Sequence, residues 1–271
     1  MRDRMKFINH TGEMIEFGKG NILINENDFR DYEWSYEAQY NKIMGFTRSI
    51  SKRTLPVIVC GTECKQTVNR ILEIIEKDVL VGKPGKMIIG DYYLKGFFYA
   101  SKQQGYTKQN SVELNLKFVS EQKMWISPKV FTYRLNDLLV TDRGLGYDYG
   151  YPYDFLSSIN SQNLYNSSHV ESNFEMKIYG PVVDPAITLA GHTYKINTEL
   201  YKNEYLTINT LEKTVIRTTA KGVLVNEFGN RDIESGYIFQ KIPVGQNSVS
   251  AFPECNFDVT VFDERSEPKW T

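Results

Sequence analysis

Three histidines (His10, His169, His192) and three cysteines (Cys60, Cys64, Cys255) are all this chain offers for base-assisted nucleophilic or transition-metal chemistry. A Ser, Thr or Cys nucleophile needs a base to take its proton, so any triad must recruit one of those histidines. His192 follows Gly191 at a predicted hairpin turn, where a histidine needs no catalytic role. Cys60 and Cys64 form a CxxxC pair, but zinc requires two more ligands and no histidine is spaced with a partner. They read as reduced, packed thiols. The odd cysteine count fits no disulfide framework and points to synthesis in a reducing compartment. Asp148 and Asp154 lie in a loop with Tyr147, Tyr149, Tyr151 and Tyr153. Two carboxylates beside aromatic platforms suit a glycosidase pair or calcium ligation, although Asp in a Tyr/Gly loop is more simply a turn former. Gly18-Lys19-Gly20 precedes no helix and makes no phosphate loop. GxSxG, HExxH and Walker A patterns are absent. Asn9-His10-Thr11 and Asn166-Ser167-Ser168 match the glycosylation sequon. No catalytic, cofactor-binding or metal residue is assigned, and the chain reads as a non-enzyme without cofactor.

The elements that must carry these residues are mostly strands. Phe174, Met176 and Ile178 alternate with Glu175 and Lys177, and Phe257, Val259 and Val261 alternate with Asp258 and Thr260. Period 2 predicts strands with one face buried. Gly180-Pro181, Pro185, an exposed Lys202-Asn203-Glu204 and the turn Pro243 to Asn247 punctuate the stretch, which predicts a β-sandwich over 174–262. The first half differs. Leu55 to Cys60 predicts a buried strand. Val68, Ile71, Leu72, Ile75 and Val79 form one apolar stripe of a helix over 63–79. Thr62 is its expected N-cap, Glu63 lies in its first turn, and Gly82, Pro84 and Gly85 end it. Ile74 lies off that stripe and implies cover on both flanks. Strands are expected at 7–8, 22–24, 86–89, 92–99 and 111–119, with a polar loop from Lys102 to Asn110 joining the last two. One helix on a mostly antiparallel sheet is an α+β domain, closing near Trp125 to Tyr133. Residues 136–172, rich in Ser, Asn and Tyr, read as an ordered interdomain connection.

At 271 residues there is room for two domains, each with its own core. Thirty-two basic against 33 acidic residues leave no footprint for nucleic acid, which requires concentrated positive charge. No apolar run approaches the roughly 20 residues that span a bilayer, so no membrane insertion is expected. Arg2, Arg4 and Lys6 are followed by no apolar h-region, so no signal peptide is read and a soluble protein is expected.

A resemblance rests on the order of weak motifs. Phe174 to Ile187, with its strand followed by Gly180-Pro181, Pro185 and Ile187, resembles the entry to the C-terminal domain of siphovirus-type phage distal tail proteins. Tyr194 to Asn197, Glu204 to Thr210, Lys213 to Arg217, Asn226 and Pro243 to Val249 follow in that family's style. The N-terminal half is similar too, with its basic-aromatic start, one helix near residue 70, Gly90 to Gly96, and a closing strand ending at Met124-Trp125-Ile126. The resemblance implies a mainly β chain: an α+β ring-forming domain (1–135), the connection (136–172) and a galectin-like β-sandwich (173–271). It implies a structural virion protein, made in the bacterial host cytoplasm and placed at the tail tip. There a homohexameric ring would join the tail tube protein to the tail-associated hub protein. A ring needs complementary patches on two sides of each subunit, and the strands flanking Lys102 to Asn110 are candidates to reach a neighbour. The alternative is a lectin-like module that binds host surface sugar through Tyr147, Tyr149, Tyr151 or Tyr153.

Overall fold

The structure, a computed structural model, describes residues 4–108, 110–134 and 162–270. Tyr147, Asp148, Tyr149, Tyr151, Tyr153 and Asp154 lie outside the described residues. Among the described residues, strands make up 54% and helix 9%, a mainly β fold with one α-helix. Two compact units divide it. Unit 1 is Met1–Ser127 together with Glu264–Thr271, and unit 2 is Pro128–Asp263.

Unit 1 contains β1 (Met5–Ile8), β2 (Met14–Phe17), β3 (Ile22–Ile24), β4 (Ser35–Gln39), β5 (Lys42–Thr47), β6 (Ser51–Cys60), α1 (Cys64–Val81), β7 (Gly85–Ile89), β8 (Tyr92–Lys108) and β9 (Ser111–Ser120), and β10 (Trp125–Tyr133) begins in it. Two antiparallel ladders share β8. Its first residues pair with β7, which continues through β1 to β2, and from Phe97 onward it pairs with β9, which continues through β6 to β3. Alternate residues of these strands point inward, as period 2 requires, so Phe7, Phe17, Leu55, Val57, Val59, Met87, Leu116 and Phe118 are fully buried. Phe98 stands edge-on to Phe7 and Phe118, with ring centroids 5.0 and 5.1 Å apart. The 102–110 segment is strand rather than loop as far as Lys108. Lys102 pairs with Asn115 and Lys108 with Ser111, because exposed ladder positions tolerate polar residues.

The helix lies where its periodicity predicts, but rotated. Ile71, Ile74 and Ile75 are buried with Asp78, Val68 and Leu72 pack at the margin, and Val79 faces out. Asp78 takes the inward place because Oδ1 accepts hydrogen bonds from the His10 backbone N–H (2.8 Å), with His10 Nδ1 at 2.5 Å. Glu63, not Thr62, is the N-cap, and no side chain caps that end. Gly82 ends the helix in the left-handed region, φ +69°, which suits glycine. Gly85 is no terminator; it opens β7 opposite Gly96, with Phe7 and Asp78 packed against it where a Cβ would stand.

Unit 2 holds the rest of β10, then β11 (Gln162–Asn166), β12 (Phe174–Tyr179), β13 (Val182–Val183), β14 (Ala186–Leu189), β15 (His192–Lys195), β16 (Glu199–Leu200), β17 (Tyr205–Asn209), β18 (Thr214–Thr218), β19 (Leu224–Asn226), β20 (Gly245–Phe252) and most of β21 (Asn256–Arg265). One sheet runs β19-β18-β17-β12-β21, another runs β11-β20-β14-β15, and β13 pairs with β16. Phe174, Met176, Ile178, Leu206 and Val259 from the first meet Leu164, Ile187, Tyr194 and Val249 from the second in one core, which is a sandwich. The alternation at Phe174 to Ile178 and Phe257 to Val261 is that of the buried faces. Glu204 is not exposed. It is 9% accessible, accepts a hydrogen bond from the Tyr201 backbone N–H (3.1 Å) and pairs with Arg217, which also holds Glu227 at 2.7 Å.

Candidate functional site

The few chemically capable residues are dispersed. His10 rests on Asp78, and His192 starts β15 after a turn through Ala190 and Gly191, both at positive φ, with Nε2 3.0 Å from the Tyr237 carbonyl. His169 is exposed. No hydrogen bond among the described residues joins a hydroxyl or thiol to a histidine ring. Cys60 is half-buried at the end of β6, Cys64 is buried at the start of α1, and Cys255 is buried in unit 2 with its thiol pushed up to about 11. No group of three or more His, Cys, Asp or Glu able to hold a metal occurs among the described residues. Both sequon asparagines are internal braces. Asn9 is 4% exposed and accepts from the Thr11 and Glu13 backbone N–H groups, while Asn166, 1% exposed, donates to the Ile242 and Pro243 carbonyls.

The feature that calls for a partner is the β4–β5 hairpin. Tyr40 and Asn41 both have positive φ (48° and 60°), a two-residue turn whose twist matches the strands. Register sorts its faces, since directly paired residues share one. Tyr36 opposes Phe46 and Ala38 opposes Ile43 on one face; Ser35 opposes Thr47, Glu37 opposes Gly45 and Gln39 opposes Lys42 on the other. The hairpin is therefore amphipathic, with Met44 carried in its bulge. Its apolar face has no cover in the described chain: Tyr36 is 64% exposed, Ile43 60%, Met44 65%, Phe46 60% and Tyr40 91%. Neither strand joins any other sheet among the described residues. Sequence reasoning missed this hairpin because Tyr-Asn is a weak turn signal beside Asn-Gly; the alternation around Tyr36 and Ala38 was the usable clue.

Its base is firmly held. Trp34 Nε1 donates to Ser266 Oγ (3.3 Å), and the Arg48 guanidinium donates to the Ser266 carbonyl (3.4 Å) while lying 5.6 Å from the Trp34 ring. Arg30 donates to the Pro268 carbonyl (2.8 Å) and stacks 4.0 Å from the Trp270 ring. Arg53 donates to the carbonyls of Asp28 and Asp31, the latter at 2.8 Å, and Asp28 accepts from the Thr54 N–H at 2.6 Å. Burial lowers the pKa of Arg48 and Arg53 and raises that of Asp28. The loop entering the hairpin is thus pinned to β6 and to the C-terminal residues. Beside it lies an open cavity of about 910 Å³ of mixed polarity edged by Glu26, Asp31, Glu113, Glu267 and Trp270, with no Ser, Thr, Cys, Lys or His in its lining.

No protein-family model matches the chain, and no curated protein matches its sequence. Solved structures do share its fold. A chain of the phage P2 baseplate, in its activated conformation with Ca, matches with a TM-score of 0.64 at 12% identity, covering 99% of this chain and 100% of that one. The same baseplate with Sr gives the same values. The crystal structure of the SPP1 Dit protein, described as a paradigm of hub adsorption apparatus in phages infecting Gram-positive hosts, matches with a TM-score of 0.57 at 9% identity over 95% and 98% of the two chains. The structural neighbours are phage baseplate and hub adsorption proteins, and the likeness of fold runs nearly end to end.

Proposed function

We propose that this chain is a structural virion protein, a distal tail subunit of the siphovirus type that closes into a homohexameric ring. In this reading the ring joins the tail tube protein to the tail-associated hub protein, sits at the tail tip, and does no catalysis. In this reading unit 1 forms the ring and unit 2 the outer sandwich; the connection is shorter than 136–172, because β11 (Gln162–Asn166) already pairs in the sandwich, and Glu264–Thr271 goes with unit 1 rather than with 173–271. The single observation that carries the proposal is the full-length match in fold to baseplate and hub proteins, both chains covered almost completely. An amphipathic hairpin with an uncovered apolar face supports it, because an assembly subunit shows in isolation the surfaces that its neighbours bury. Negative-stain images of the largest species in solution test the reading. Closed six-fold rings with an open centre are expected, and particles without rotational symmetry would refute it.

A further inference from the structure

Unit 1 carries a second apolar patch. Because α1 turns Asp78 inward, Val79, Leu80 and Val81 in its last turn face out, 45%, 78% and 57% exposed. Met14 is 44% exposed and follows Glu13, whose carboxylate lies 3.0 Å from Lys77 of the same helix. We infer that the β4–β5 hairpin of one copy docks its Tyr36, Ile43 and Phe46 face on the Val79–Val81 end of α1 in a second copy, head to tail. The inference rests on the ring reading and names the contact that would close the ring.

A contact that closes by rotation is heterologous, so each subunit must present two different patches. Unit 1 has two of unlike shape, a flat strand-pair face and the rounded end of a helix. At about 200 Å² per large side chain, the exposed fractions of Tyr36, Tyr40, Ile43, Met44 and Phe46 amount to about 700 Å². That exceeds the few hundred Å² ordinary on a monomer and approaches the roughly 800 Å² per partner of a standard interface. Docking by this face leaves Glu37, Gln39 and Lys42 in water, as the register requires. The pinned base at Trp34 and Arg48 also limits the ordering cost of association.

Two variants of the full chain test the contact: Ile43→Ser/Phe46→Ser in the hairpin and Leu80→Ser/Val81→Ser in the helix end. All four sites are exposed, so both should fold with the wild-type circular dichroism spectrum and Tm. Sedimentation equilibrium should show association in the wild type, and each variant alone should need at least about 100-fold more chain to associate. An equimolar mixture should form a heterodimer and stop there, since it retains one intact hairpin and one intact helix end. Association kept by the hairpin variant overturns the inference while leaving a ring built on another surface. Loss in the hairpin variant alone removes the helix end as acceptor, and two inert variants that fail to pair when mixed remove the head-to-tail arrangement. A wild-type chain that stays monomeric at about millimolar concentration overturns this contact and the ring reading together.

Discussion

Gly96→Ala probes the point where β8 leaves one ladder for the other. Gly96 is the last residue paired with β7, opposite Gly85, and Phe97 is the first paired with β9, opposite Val119. A Cβ on Gly96 would overlap the Val119 carbonyl oxygen and stand 2.5 and 2.8 Å from the Phe118 ring. Non-bonded carbons rest about 3.5–4.0 Å apart. Neither neighbour gives way easily. The carbonyl belongs to the ladder, and the fully buried Phe118 is wedged between Phe98 and Phe29, with centroids at 5.1 and 5.4 Å. Overpacking strain of about 1–3 kcal/mol adds to about 1 kcal/mol for a disturbed ladder bond. The lost freedom of the unfolded chain offsets about 0.5–1 kcal/mol. The net destabilisation is about 1–3.5 kcal/mol. With a urea slope of about 2 kcal/mol per M, the midpoint for unit 1 falls by about 0.5–1.8 M, read from the fluorescence of the fully buried Trp125. Gly45→Ala is the matched control, since nothing lies within 4 Å of its Cβ and its φ is not positive; it should stay within about 0.5 kcal/mol of wild type. Equal midpoints for the two variants would refute the geometry assigned to β8.

In unit 2, Arg217→Ala strands Glu204 and Glu227, whose side chains are only 10% and 4% exposed, and should cost about 3 kcal/mol in a denaturant melt. Replacing all three residues by neutral ones of similar size (Arg217→Met, Glu204→Gln, Glu227→Gln) should recover more than half; a silent Arg217→Ala contradicts the network. Cys255 gives a pH test. Its thiol, near 9.0 in the unfolded chain, is pushed up to about 11 by burial, so the folded state holds a proton that the unfolded state has lost between those values. That contribution is present below pH 9 and is lost, by roughly 3 kcal/mol in all, as the pH rises through 11. Urea melts of Cys255→Ala should show a shallower decline than wild type across that range, and parallel declines would show that the thiol is not linked to folding.

Some of this architecture was legible in the residues because it is local. Phe174 to Ile178 alternates since one face of β12 is buried, and Ile71 and Ile75 repeat as a helix face must. What escaped depends on partners distant in sequence. Asp78 is buried because His10, on the turn after β1, supplies its hydrogen bonds, and nothing in α1 announces that. Lys102 to Lys108 is strand because Ser111 to Asn115 pairs with it, although its own composition reads as loop. Glu204 is buried by an arginine that arrives 13 residues later. The hairpin shows the deeper limit. Alternation at Tyr36 and Ala38 indicates a strand with an apolar face, but only coordinates reveal that the face is left open. The loop tyrosines and the Asp148 and Asp154 pair lie outside the described residues.

The most direct test of the ring is the solution mass of the full chain, measured by light scattering on a sizing column over a wide concentration range. The account predicts a plateau at six copies of the 31.4 kDa chain, about 188 kDa, with no growth beyond it, because a closed ring leaves no open patch. A mass that stays at one chain throughout, or that climbs without limit as concentration rises, would contradict it.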